Sequence, residues 1–269
     1  MGVRRLGFGV SGPHGSSIIP AATTEEMVIR AFDLGVRLFD TAPSYGNGEA
    51  ERRLGEALRR RPRFECIVST KVGIVSSGGR KRRDFSPDGV RRSIDASLKR
   101  LRIQRLDWLF LQGPAPAELT DGLLKVIADE RFAGRVGMLG VAGRGPEIDA
   151  ALATGQFGVF MAPVHAGLQP YQVERLNRLK ATGAELIAFQ TLTPTLPRVP
   201  IPSSMGALWR LGRTLAGRST ETSRIRKTAG ESLLWALTEG GAHRVLTTTS
   251  RMDHLEANVA AVEDAPLAD

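Results

Sequence analysis

The sequence predicts an α/β protein folded as a (β/α)8 barrel, one domain over residues 1–269. Three observations lead there. Short apolar runs alternate with longer helical patterns eight times along the chain. The apolar runs are continuously hydrophobic, as strands buried on both faces of a parallel sheet are. A length of 269 residues with 42% hydrophobic and 24% charged content is enough for one sizeable core. A doubly wound open sheet is the alternative, because alternation of elements does not by itself close a sheet.

The units run in order. LGFGV (6–10) precedes a helical pattern over 23–35, and VRLFD (36–40) precedes one over 48–60. ECIVSTKV (65–72) leads to 86–101, and RLDWLFLQ (105–112) to 117–132. RVGMLGVA (135–142) is followed by 146–155, and GVFMAPV (158–164) by 169–183. AELIAFQT (184–191) precedes a long segment and then a helical pattern over 221–240; RVLTTT (244–249) precedes 252–262. Thr24 before Glu25 and Glu26, and Ser86 before Pro87 and Asp88, have the chemistry of helix starts. Gly35, Gly155, Gly183 and Gly240 have that of helix ends. The segment 192–220 is rich in Pro, Ser, Gly and Arg. Its length after the seventh strand predicts a functional loop at the rim, partly packed through Leu208 and Trp209.

Gly7, Gly9 and Gly12 spell G-x-G-x-x-G, yet the helical pattern begins only near Thr24. A dinucleotide fingerprint needs its last glycine to open the helix. A glycine-rich strand-to-loop turn is the better reading, with a backbone open to close approach by a ligand.

The net charge is +9, mostly from arginine. It points either to a solvated basic surface or to attraction for phosphate-bearing ligands. Aromatics make up 6% and no base-stacking motif accompanies RRRPR (59–63) or RKRRD (80–84), so nucleic acid is not the expected partner. One cysteine, Cys66, excludes a disulfide framework and reads as a buried structural thiol. No run of eighteen apolar residues occurs, and MGVRRLGFG lacks a signal-peptide core; a cytoplasmic location is the expectation. No metal site is expected, and the oligomeric state is left open.

One stretch carries chemistry. RLFDTAPSYGNGEAE (37–51) ends an apolar strand in Asp40 and places Tyr45 five residues on. A buried carboxylate needs a partner. Lys71 ends the next strand, IVSTK, so adjacent parallel strands bring both to one rim. A cation beside a phenol favours phenolate. A phenol so tuned can give a proton to a carbonyl oxygen near neutral pH.

At these residues the sequence resembles the aldo-keto reductases. The likeness rests on FDTAPSYGNGEAERRLGEAL (39–58), VSTKVG (68–73), SPDGVRRSIDASLKRL (86–101), RLDWLFLQGP (105–114) and TSRMDHLEANVAA (249–261). Its flavour is that of the bacterial aldose dehydrogenase and pyridoxal dehydrogenase branch. The resemblance implies a barrel, an NADP(H) cofactor with NAD(H) as the alternative, and hydride transfer to or from a small carbonyl compound or sugar. It implies Tyr45 as general acid, Lys71 as the residue that tunes it, Asp40 as the holder of the lysine, and Gln112 at the fourth catalytic position. It further implies cofactor contacts at Gly9, Val10, Asp40, Phe189, Thr249, Ser250, Arg251 and Asn258. Phe189 stands where a ring stacks on the nicotinamide. Arg251 reads either as a ligand of the 2′-phosphate or as a surface arginine.

Departures from the family pattern are equally visible. Gln112 replaces a histidine. Ala142-Gly143 replace a Ser-Asn pair that holds the carboxamide. The stretch FMAPVHAG (160–167) lacks a glutamine, and Thr247-Thr248 replace Pro-Gly. His165 either takes over part of the lost imidazole's role or is a rim residue. Two functions therefore stand side by side: an NADP(H)-dependent oxidoreductase, and a catalytically weak nucleotide-binding module on the same fold.

Overall fold

The computed structural model describes residues 5–61, 65–77, 80–192 and 228–263. Its barrel strands are β1 (Leu6–Gly9), β2 (Leu38–Asp40), β3 (Ile67–Val72), β6 (Leu106–Gln112), β7 (Val136–Ala142), β8 (Val159–Pro163), β9 (Glu185–Phe189) and β10 (Arg244–Thr247). A separate antiparallel hairpin, β4 (Ile74–Ser77) and β5 (Arg80–Arg83), follows β3. The helices are α1 (Ala21–Asp33), α2 (Glu49–Leu58), α3 (Pro87–Leu101), α4 (Asp121–Phe132), α5 (Pro146–Thr154), α6 (Pro170–Ala181), α7 (Ala229–Leu237) and α8 (Met252–Glu263).

What decides between closed barrel and open sheet is the pairing of the first strand with the last. Leu6, Gly7 and Phe8 of β1 align with Val245, Leu246 and Thr247, in parallel. The eight barrel strands thus close on themselves, and no edge remains to be protected. Alternation along each strand divides the apolar residues in two. Leu38, Trp108, Phe110, Val159, Met161 and Ile187 fill the barrel interior. The larger cluster, including Phe8, Phe39, Leu54, Ile94, Leu109 and Leu186, packs between strands and helices. Gly7 faces inward, where a β-carbon would sit 2.5 Å from Leu246. At the strand N-terminal end Arg244 pairs with Glu185 and lies 5.6 Å from the Trp108 ring, closing the floor of the barrel.

Some local expectations hold and others are corrected. Ser86 caps α3, its hydroxyl accepting from Gly89 N at 3.1 Å, with Pro87 at the first helical position. Thr24 does not cap α1. That helix already begins at Ala21 after Pro20, and Thr24 is buried within it. After α7 the left-handed residue is Gly241 (φ 65°), not Gly240. The first four residues of RKRRD form the exposed strand β5. Cys66 is buried, as expected. The long segment after β9 lies, from residue 193 to 227, outside the described residues, with Leu208 and Trp209 in it. Among the described residues no helix is long and apolar enough to cross a membrane.

Candidate active site

The chemistry gathers at the C-terminal ends of β2 and β3. Asp40 aligns with Ser69, and period-two alternation puts Ser69 and Lys71 on the same inward face. Lys71 Nζ donates to Asp40 Oδ2 at 2.6 Å and to the Thr41 carbonyl at 2.9 Å. Ser69 Oγ donates to the other carboxylate oxygen at 2.7 Å. All three side chains are buried. Burial alone disfavours a charged lysine. Asp40 and Tyr45 outweigh it, and the Lys71 pKa is raised above its usual 10.5. The ammonium is therefore a fixed positive charge, 5.3 Å from the centre of the Tyr45 ring.

Tyr45 is placed by a compact turn. Its N–H donates to the Ala42 carbonyl at 3.0 Å, and its carbonyl accepts from Ala50 N in the first turn of α2. Gly46 follows with φ 62°. A β-carbon there would lie 1.5 Å from the Gly15 carbonyl oxygen, so both backbones meet with no room for a side chain. Gln112 ends β6, two positions beyond the residue aligned with Lys71. Its Oε1 accepts from Ser44 Oγ at 3.4 Å. Among the described residues its amide nitrogen has no hydrogen-bond partner.

The expected cofactor residues divide. Gly9 ends β1 directly across from Asp40, and its carbonyl accepts from Thr248 Oγ1 at 2.9 Å. Val10 is buried, its N–H donating to Asp40 O and its carbonyl accepting from Thr41 Oγ1, so it frames the strand end. Asn258 is also buried and donates to Thr247 Oγ1 at 3.0 Å, which ties α8 to the end of β10. Thr249 Oγ1 accepts from Arg251 N at 3.1 Å. The exposed Arg251 forks onto Asp253, and that hydrogen bond holds the Asp253 carboxyl down at about 2. His165 Nδ1 accepts from Gly167 N, which favours the rim-residue alternative.

Phe189 at the end of β9 is half-buried, and Arg144 lies over its ring at 4.8 Å. Arg144 Nε also donates to Gln190 Oε1 at 3.0 Å, and Gln190 is one of the few non-glycine residues in the left-handed region (φ 54°). Glu147 explains the glycine before Arg144. Its carboxylate accepts from the Arg144 and Gly145 N–H groups, and its side chain fills the space next to Gly143.

Ser44, Ser69, Arg144 and Glu147 escaped sequence reasoning. Alternation from Lys71 would have found Ser69; no local signal marks the others. Among the described residues no cluster of three or more metal-ligating side chains occurs.

A family model, described as the aldo/keto reductase family, matches residues 5–196. The chain belongs to the aldo/keto reductase family. Among curated proteins it is 29% identical to L-galactose dehydrogenase of Arabidopsis thaliana, over 97% of this chain and 85% of that one. It is 27% identical to a D-threo-aldose 1-dehydrogenase of a Pseudomonas species, over 67% and 65%. Its fold matches a solved aldo-keto reductase of Bacillus halodurans in the holo form, with a TM-score of 0.79 at 22% identity, covering 98% of this chain and 88% of that one. The aldo/keto reductase chain is thus an oxidoreductase of a family that uses nicotinamide cofactors and small-molecule substrates.

Proposed function

We propose that this protein transfers a hydride between NADP(H) and a small aldehyde, ketone or sugar, with Tyr45 as general acid and base. The observation that carries the reading is the buried Asp40–Lys71 pair with its ammonium beside Tyr45. A bound nicotinamide supplies or accepts the hydride. As negative charge develops on the substrate oxygen, the Tyr45 hydroxyl delivers a proton to it. In the oxidative direction the phenolate takes that proton back. Lys71 stabilises the phenolate, and Asp40 with Ser69 keeps Lys71 charged and aimed. The Gln112 amide nitrogen, without a partner among the described residues, donates a hydrogen bond to the substrate oxygen without titrating.

The described residues fit the cofactor at two points. Phe189 is half-buried at the end of β9, where a ring can stack on a nicotinamide; the Arg144 guanidinium lies 4.8 Å over that ring, and a nicotinamide taking the same face displaces it. Ser250 and Arg251 precede α8, whose dipole and first-turn N–H groups favour the adenosine-side phosphate, and the Arg251 guanidinium can join them on leaving Asp253. Sugar substrates are supported by the two dehydrogenases to which the chain is similar.

The test is NADPH oxidation against a panel of aldehydes and sugars by wild type and Tyr45→Phe. Loss of about 10²–10⁴ in turnover is expected for the variant. Equal turnover with every substrate would sink the reading. A weakly catalytic nucleotide-binding role then takes its place; the absence of polar side chains at Ala142 and Gly143 favours it.

A further inference from the structure

The Gly12–Gly15 turn, a single 3-10 turn between β1 and α1, touches both halves of the site. On one side Gly15 meets Tyr45 and Gly46 backbone to backbone; a β-carbon on Gly15 would lie 2.8 Å from the Tyr45 carbonyl oxygen. On the other side His14, fully buried, reaches the loop after β10: His14 Nε2 lies 2.8 Å from the Thr249 carbonyl oxygen.

The direction of these bonds is fixed by chemistry. Arg53 of α2 is buried and can only donate. It gives hydrogen bonds to Glu49 Oε1 (2.7 Å), to the Ser16 and Ile19 carbonyls (both 3.1 Å), and to Thr24 Oγ1 (3.3 Å). The Thr249 carbonyl can only accept, so Nε2 carries the ring proton; in the neutral ring Nδ1 is then the acceptor, and the Thr24 hydroxyl, which accepts from Arg53, donates to it across 3.2 Å. Burial, with a smaller push from Arg53, lowers the His14 pKa against the opposing pull of the Thr249 carbonyl, consistent with a neutral ring. Thr249 in turn holds the Arg251 N–H through its hydroxyl. An unbroken chain runs Arg53, Thr24, His14, Thr249, Arg251.

We infer that His14 is a positioning residue: through Thr249 it fixes the Ser250–Arg251 nucleotide loop at a set distance from Tyr45. This rests on the reading that Ser250 and Arg251 hold a nucleotide phosphate. It also gives a use to the glycine-rich motif that is not a dinucleotide fingerprint, since Gly12 opens the turn.

The experiment uses the full chain. Calorimetric titration with NADPH and with adenosine 2′,5′-bisphosphate measures affinity, and amide hydrogen exchange follows the Arg251 N–H against Leu246 in β10. His14→Phe keeps an aromatic ring and removes both nitrogens. It is expected to weaken both ligands by about tenfold, the equivalent of one lost hydrogen bond, and to speed exchange at Arg251 but not at Leu246. His14→Gln, whose amide can donate to Thr249, is expected to recover affinity to within about threefold of wild type. If His14→Phe does not fold, Thr24→Val is expected to weaken both ligands about threefold by removing the donor that holds Nδ1 and loosening the ring. A merely structural histidine would lower the melting temperature of these variants and leave Kd unchanged; that result, or wild-type exchange at Arg251 in His14→Phe, overturns the inference. If wild type binds neither ligand, the nucleotide reading fails, and exchange at Arg251 still decides the role of His14.

Discussion

Removing one member of the Asp40–Lys71 pair should cost far more than removing both. The two side chains are 6% and 4% exposed, and their oxygen and nitrogen are 2.6 Å apart. Lys71→Met leaves the Asp40 carboxylate buried with Ser69 as its remaining polar partner. Asp40→Leu leaves the ammonium with the Thr41 carbonyl and Tyr45. Each single change should cost about 3–5 kcal/mol, the cost of an uncompensated buried charge. That is a large part of the roughly 5–15 kcal/mol by which domains are stable. The double variant Asp40→Leu/Lys71→Met exchanges the pair for apolar groups of similar volume and should lie within about 1–2 kcal/mol of wild type. The pH range follows from sign. Burial works against the Lys71 charge, but Asp40 and Tyr45 raise its folded pKa above 10.5. Its contribution is complete below 10.5 and lost only as pH rises through the higher folded value, so the pattern should be flat between about pH 6 and 9. Urea unfolding of the four proteins gives the coupling energy directly. If the double variant is as unstable as the sum of the singles, the ion pair is not what holds these groups in the barrel. None of the three variants should retain Tyr45-dependent turnover.

Gln112→Ala should lower kcat/KM by up to about a hundredfold, as loss of one preorganised donor does, whereas Gln112→His should raise turnover of simple aldehydes and introduce an acid-side pH dependence; a pH–rate profile of each variant checks this. Arg251→Ala should weaken NADPH selectively over NADH. Asp253→Ala should strengthen it, because the fork now held by Asp253 becomes available to phosphate; equal effects on both nucleotides would remove Arg251 from the phosphate site. Glu49 is held down at about 2 from 4.5, first by its hydrogen bond from Arg52 and then by Arg53. Its contribution is present above pH 4.5 and lost as pH falls through about 2. With solvent screening it amounts to about 1 kcal/mol, so urea midpoints of wild type and Glu49→Gln should converge between pH 4.5 and 2.

The barrel was legible because each strand announces itself as an apolar run and each helix as a periodic one. Closure was not, since pairing of β1 with β10 joins residues nearly 240 positions apart. Asp40 and Lys71 could be placed together because both end neighbouring parallel strands. His14 and Arg53 could not. Their partners lie on other elements, and a histidine in a glycine-rich loop has no sequence mark of burial. The β4–β5 hairpin was missed because Arg80–Arg83 contains no apolar alternation; its strand is held by backbone pairing and by Arg83, which reaches the Gly113 carbonyl at 2.8 Å and Glu118. The hydrogen bond from Asn258 to Thr247 Oγ1 could not be read either, because it joins α8 to the end of β10 and no local pattern marks it.

The backbone contact between Gly15 and Gly46 has a consequence for remaking this enzyme. Altering substrate preference in a barrel usually means transplanting one rim loop at a time. Here the first two rim loops are keyed together where neither tolerates a β-carbon. A foreign loop that brings any side chain to either position, or shifts its register by one residue, wedges the two apart. Donor segments covering 11–20 and 41–48 therefore have to be exchanged as a matched pair from one parent, with Ser44 kept in the second for its contact with Gln112 at the end of β6.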